Sequence, residues 1–447
     1  MEKTDKYEGI IQSILNPADA FVSAQEFMLV LMFLPYCAEH GKLVTAFMPL
    51  SMLAPITFMP LVYSVLHRFD TLLFGRYHLV MPLSAFLSAP FFVLTFSARG
   101  AGASAACAIF FGLFFFVLFS LVYKYCAFSV RVRLYGGGVK SPSLAYMCFF
   151  TAGAAAAVAC IFGFRHYDPS TAFVNSAYVI SAAQVILAIA QYLTTFYGIP
   201  RLGGRRVQSV KSVFRLFYTG LNGRTYGSSL LFMSAFAIQL MLVAYLAVVR
   251  TSPVYGAVAA TAACAAFVIA AWVCRFKANA RSVWLSVAQF LFISASGALC
   301  ITALFVDAGE AVNAILPVLA AALSGAGAAV AVRQTQLRFL TVGKRQTHGI
   351  VFLLVNITAC AAIAVGFAAV SAVAFTDFGV IPAACAFGAS ACLGIAALAT
   401  AQRARVAAEY VPAPSYEYDV GDAAACAADA TDIENTSILP DDDRDNT

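Results

Sequence analysis

The chain has 447 residues, 62% of them hydrophobic and 11% charged, with a formal net charge of +6. That balance excludes an ordinary soluble globular protein and points to lipid as the solvent. The positive charge does not make a nucleic-acid surface, because the basic residues lie in short loops between apolar runs, not together on one polar face.

A helix needs roughly 20 apolar residues to cross about 30 Å of hydrocarbon. Twelve runs qualify, near 21–37, 44–66, 79–97, 103–126, 143–164, 171–198, 228–249, 254–274, 283–305, 312–332, 349–371 and 378–400. The fold class expected is an all-α polytopic membrane protein. The leading segment 1–20 mixes Lys3, Asp5, Lys6 and Glu8 and is followed by further spans, so the first span is expected to be retained, not cleaved as a signal.

Basic loops resist translocation, so their distribution sets orientation. Threading the twelve spans alternately puts 24 of the 28 Lys and Arg on one side, leaving Lys42, Arg99, Arg165 and Arg250 on the other. An even number of spans with both termini in the cytoplasm follows, and a plasma membrane suits the short basic loops. The longest internal loop, 199–227, carries six basic residues and divides the chain into six-span halves at 21–198 and 228–403. Such a 6+6 layout suggests two repeated bundles around a central site and resembles that of major facilitator transporters. Short echoes accompany it: Arg68-Phe69 after span two matches Arg275-Phe276 after span eight, and Gly138-Val139-Lys140 parallels Val342-Gly343-Lys344. The tail 404–447 holds 11 of the 22 acids, including Asp441-Asp442-Asp443, and is expected to be disordered; it is a solvated terminus or the docking element for a cytoplasmic partner.

Charge inside a membrane is costly and marks solute or ion paths. Two interior cases arise, Glu26 in span one and Lys124 near the basic end of span four; the latter is also placed to snorkel to the interface. Uncharged polar residues fall at Gln184, Gln191 and Tyr192 in span six, Gln239 in span seven, Gln289 in span nine, and Asn356 and Thr358 in span eleven. Gln184 and Gln191 are seven apart and share a helix face. These side chains either line a solute cavity or link packed spans by hydrogen bonds. Trp272 and Trp284 fall at helix ends, where the aromatic belt accounts for them. None of the 12 cysteines forms a CxxC pair and the five histidines sit near span ends, so no metal site, cofactor or enzymatic nucleophile is expected.

Three loops carry a resemblance. Phe74-Gly75-Arg76-Tyr77-His78, Val342-Gly343-Lys344-Arg345 with His348-Gly349, and Ser209 to Arg215 with Asn222-Gly223-Arg224 resemble the loops of the glycoside-pentoside-hexuronide:cation symporters, the melibiose permease relatives. The resemblance implies a membrane transporter moving a sugar or glycoside by alternating access, with Gly75, Arg76, Gly343, Lys344 and Arg345 in its conformational loops. It also implies a cation site that this chain lacks. Aligning the family's span-two Asp-Pro on Pro60 puts Pro55 and Met59 where the acids belong, and Thr358 falls at the family's span-eleven Lys. Asp19 or Glu26 stands near the family's acid in span one, leaving Glu26, Asp19 and Lys124 as coupling candidates. The alternative is a membrane scaffold or regulator that keeps the transporter fold without transport.

Overall fold

The computed structural model describes residues 24–30, 42–68, 76–98, 102–135, 144–163, 169–198, 223–250, 253–275, 283–306, 309–342, 348–376 and 379–410, together with Val22 and Gly100. Asp19, Gly75, the segment Gly343-Lys344-Arg345, the central loop up to 222 and the acidic tail beyond 410 lie outside them. The described residues are helical with no strand among them. In chain order the helices are α1 (24–30), α2 (Lys42–Arg68), α3 (Arg76–Ser97), α4 (Ala103–Tyr135), α5 (Leu144–Gly163) and α6 (Pro169–Gly198), then α7 (Gly223–Arg250), α8 (Pro253–Arg275), α9 (Val283–Phe305), α10 (Glu310–Val342), α11 (His348–Phe375) and α12 (Val380–Tyr410). Ten of them are long and apolar enough to cross a membrane. The chain is a multi-pass α-helical membrane protein.

A helix satisfies its backbone internally, which hydrocarbon demands. Pro49, Pro55 and Pro60 in α2 and Pro82 and Pro90 in α3 are carried without ending the helix. On the side opposite the basic loops, Gly100 and Gly309 take positive φ of 81° and 96°, a conformation cheap only for glycine. Large apolar side chains such as Ile186, Ile269, Leu291 and Ile381 point outward, as a lipid-facing surface requires.

Three helices overrun the spans expected from hydropathy, all toward the basic side. The fourth continues to Tyr135, the tenth to Val342 and the twelfth to Tyr410. Arg333 and Arg338 are therefore helical, not loop residues, and Arg333 is buried. Hydropathy halts at the first arginine, but Arg338 donates to serines on two neighbouring helices and Arg333 to Gln336 on its own helix, so both stay in the bundle.

The chain divides into two units, Met1–Arg403 and Ala404–Thr447. Of the second, the described part is the last turns of α12. Within the first unit, α3 packs on α4 and α6, and α2 on α4; in the second half, α10 packs on α7, α8 and α9, and α11 on α7. The halves meet where α2 and α4 lie against α11 and where α5 lies against α8. A shift of six helices turns the α2–α11 contact into α8–α5, α2–α4 into α8–α10, and α3–α4 into α9–α10, so both the packing inside the halves and the seam between them repeat.

Small residues set the close approaches, as expected where lipid supplies no hydrophobic drive between helices. A Cβ added at Gly112 of α4 would lie 2.8 Å from the Thr95 backbone nitrogen of α3. At Gly325 of α10 it would run into the Ala263 carbonyl oxygen of α8.

Candidate functional site

The first described helix turns carry one partly open stripe. Val22, Ala24, Gln25, Met28 and Leu29 are buried, whereas Glu26, Phe27 and Val30 are partly accessible. Gln25 turns away and donates from Nε2 to Ser181 Oγ of α6 at 3.5 Å. Glu26 forms an ion pair with Lys124 of α4, and Ser120 Oγ, one helix turn from Lys124, donates to Glu26 Oε1 at 3.3 Å. Both sequence-derived interior charges are thus brought together. Lys124 is bound to a partner helix, which the snorkelling alternative did not foresee.

The α4 surroundings of Lys124 are buried in protein. Residues 120–123 and 125–127 of α4 are buried, so the helix is enclosed by protein over two full turns. The pair stays partly accessible, 17% of Lys124 and 32% of Glu26. Buried Cys360 of α11 lies within electrostatic reach of both charges. The pair sits on the seam between the halves.

Phe27 closes one border of that seam. Its ring meets Phe150 of α5 at 5.6 Å and Phe267 of α8 at 5.2 Å, and those two rings are 6.0 Å apart, so one residue from each of three helices forms a triangle across the halves. Trp272 Nε1 of α8 donates to Thr151 Oγ1 of α5 at 3.0 Å beside it. Trp272 therefore serves the seam and not merely an aromatic belt. The side chain of Trp284 lies outside the described residues.

The uncharged candidates divide. Gln184 and Gln191 do share the buried face of α6. Gln184 Nε2 donates to Ala85 O at 2.9 Å and Ser88 Oγ at 2.7 Å on α3, an interhelical link within the first half. Gln191 Nε2 donates to Tyr123 OH of α4 at 3.4 Å, adjacent in sequence to Lys124. Tyr192, at the edge of that face, is exposed. Gln239 forms a hub in the second half: Nε2 donates to Ile293 O of α9 at 2.8 Å and Ser390 Oγ of α12 at 2.9 Å, while Ser324 Oγ of α10 donates to its Oε1 at 3.4 Å. Ser324 also bonds Ser296 of α9. Gln289 is fully buried, with neither amide atom bonded among the described residues. Thr358 is buried and donates to Leu354 O of its own helix at 2.7 Å; Asn356 is partly accessible.

Sequence reasoning missed the polar cluster at the basic end of the second half. Arg338 Nη1 donates to Ser228 Oγ of α7 at 3.1 Å and Nη2 to Ser286 Oγ of α9 at 2.9 Å, and Gln334 Nε2 donates to the same Ser286 at 3.0 Å. Nothing in the sequence separates these serines from their many neighbours. No grouping of His, Cys, Asp and Glu suited to a metal occurs among the described residues.

Two six-helix halves, repeated in their packing and meeting at α2–α11 and α5–α8, define the major facilitator fold. Solved structures share it over nearly their whole length. The nucleoside transporter NupG superposes with a TM-score of 0.59 at 13% identity, covering 88% of this chain and 98% of that one. The peptide transporter POT in complex with sulfate gives 0.60 at 15%, covering 88% and 94%, and FucP in the outward conformation gives 0.53 at 16%, covering 89% and 98%. No protein-family model and no curated protein matches the chain.

Proposed function

We propose that the chain is a secondary transporter that moves a small hydrophilic solute by alternating access, its halves 21–198 and 228–403 rocking about the seam. The observation that carries this reading is the Glu26–Lys124 pair, an ion pair kept partly accessible within the membrane-spanning helices of a two-half bundle. The arrangement of solved nucleoside and peptide transporters supports it through the shared fold. The plasma membrane, cytoplasmic termini and a basic central loop at 199–227 belong to the same proposal. Gly75, Arg76, Gly343, Lys344 and Arg345 act in the loops that hinge each half.

A sugar or glycoside is the solute class that the loop resemblance implies, with Gln289, whose amide atoms hold no bond among the described residues, the candidate to meet its hydroxyls. Gln184, Gln239 and Thr358 already hold helix–helix or backbone bonds and are less available to it. The missing span-two acids, with Pro55 and Met59 in their place, favour a second reading: a membrane scaffold whose acidic tail binds a partner. Uptake of a labelled panel of sugars, glycosides, nucleosides, amino acids and dipeptides into proteoliposomes, with and without sodium and proton gradients, tests both. Flux of any one solute supports the transporter; no flux for any moves the weight to the scaffold. Accumulation against a gradient that persists in Glu26→Gln would remove that residue as the coupling group.

A further inference from the structure

We infer that Glu26 and Lys124 form the recognition site for a zwitterion, a small solute that carries both an ammonium and a carboxylate. The inference rests on the transporter reading and departs from the sugar or glycoside that the loop resemblance implies. Its basis is charge balance among membrane-spanning helices. Together Glu26 and Lys124 are neutral, they are drawn from different helices, and both side chains stay partly accessible among otherwise buried neighbours on α4. A neutral hydroxylated solute has nothing to offer two full charges already satisfied by each other. A lone anion could take Lys124 only by leaving the carboxylate of Glu26 uncompensated, and a lone cation would strand the ammonium of Lys124 in the same way, a costly outcome in a low-dielectric interior.

A zwitterion avoids both costs. Its carboxylate accepts from Lys124 Nζ while its ammonium donates to the Glu26 carboxylate, so one ion pair becomes two and no charge is left alone. Ser120 remains within reach to donate to Glu26 during the exchange. Phe27, next to Glu26 and in ring contact with Phe150 and Phe267, gives the solute's carbon backbone an apolar wall shared by both halves. Occupation of the pair is thereby felt at the α5–α8 seam.

The test is ligand-induced thermal stabilisation of the purified full-length protein. The probes are glycine, β-alanine, γ-aminobutyrate and glycylglycine, which step the separation of the two charges, against acetate, methylammonium and methyl β-glucoside. The expected result is saturable stabilisation by at least one zwitterion and by none of the three controls. Half-saturation should rise at least ten-fold in Glu26→Gln and in Lys124→Gln. Should either single variant fail to fold, the Glu26→Gln/Lys124→Gln double variant keeps the site neutral and should also lose the response. No stabilisation by any zwitterion, a response to acetate or methylammonium alone as large as that to a zwitterion, or a zwitterion response unchanged in the double variant would overturn the inference. If the uptake panel then shows flux of another solute, the transporter reading stands without this site; if it shows none, that reading fails too.

Discussion

Gln239 bonds two helices from a single amide group and accepts a bond from a third, and its neighbours Ile293 and Phe236 are buried apolar residues. A glutamine with its amide so engaged is a structural link. Replacing it with leucine keeps the volume roughly but leaves Ser390 and Ser324 to find other partners. Gln239→Leu is expected to cost about 1–2 kcal/mol, seen as a lower thermal midpoint in detergent, with the solute KM in proteoliposomes unchanged. A raised KM with an unaltered midpoint would return Gln239 to the solute path. Arg338 poses the opposite question, since its two terminal nitrogens reach serines on two helices. A lysine offers one nitrogen on a flexible stem and cannot span both, so Arg338→Lys should lose nearly as much stability as Arg338→Met in the same thermal assay. The sequence made Gln239 visible as a polar group in an apolar run, whereas Arg338 fell beyond the expected end of its span. Which of them bond and which face a space depends on the rotation of neighbouring helices, and that is fixed by packing, not by the residue's own surroundings in the chain.

At the scale of helices, existence was legible and extent was not. Each of the twelve expected spans has a helix in it, because apolar length is a strong local signal. The ends of α4 and α10 were misjudged on the basic side, where Arg131 and Arg333 break the hydropathy although the backbone continues in register. The closest helix approaches were also hidden: Ser324-Gly325-Ala326-Gly327 reads as an unremarkable small-residue run. In the structure Gly325 presses on the Ala263 backbone and Gly327 on the ring of Phe236. A backbone carbonyl cannot rotate aside as a side chain can. Gly325→Val should therefore force α8 and α10 apart at a cost of about 1–3 kcal/mol, read as a fall in the thermal midpoint. Gly388→Val on α12, where an added Cβ meets nothing within 4 Å, is the matched control and should leave it nearly unchanged.

For the whole molecule, the division into halves followed from one long basic loop, but the seam between them did not. That α5 meets α8 through Phe150, Phe267 and the Trp272–Thr151 hydrogen bond joins residues over a hundred positions apart in different halves, and no local pattern encodes it. The seam has a mechanical consequence. By helix alternation Phe27, Thr151, Phe267 and Trp272 all lie toward the side of the basic loops, so exposing the Glu26–Lys124 pair to that side requires α8 to part from α5. Phe267 must then leave both rings, and the Trp272 indole must give up Thr151. Cysteines at 151 and 272, introduced after replacing Cys37, Cys107, Cys148, Cys160, Cys385, Cys392 and Cys426 by serine, can be joined by a short bis-methanethiosulfonate, each thiol displacing a sulfinate to form a disulfide that a reductant cleaves. Uptake should fall to background when they are joined and return on cleavage, whereas the same reagent joining α3 to α4 inside one half should leave it intact. Full uptake with 151 and 272 completely joined would mean that the halves do not open along α5–α8, and the route past Glu26 would then have to lie along α2–α11.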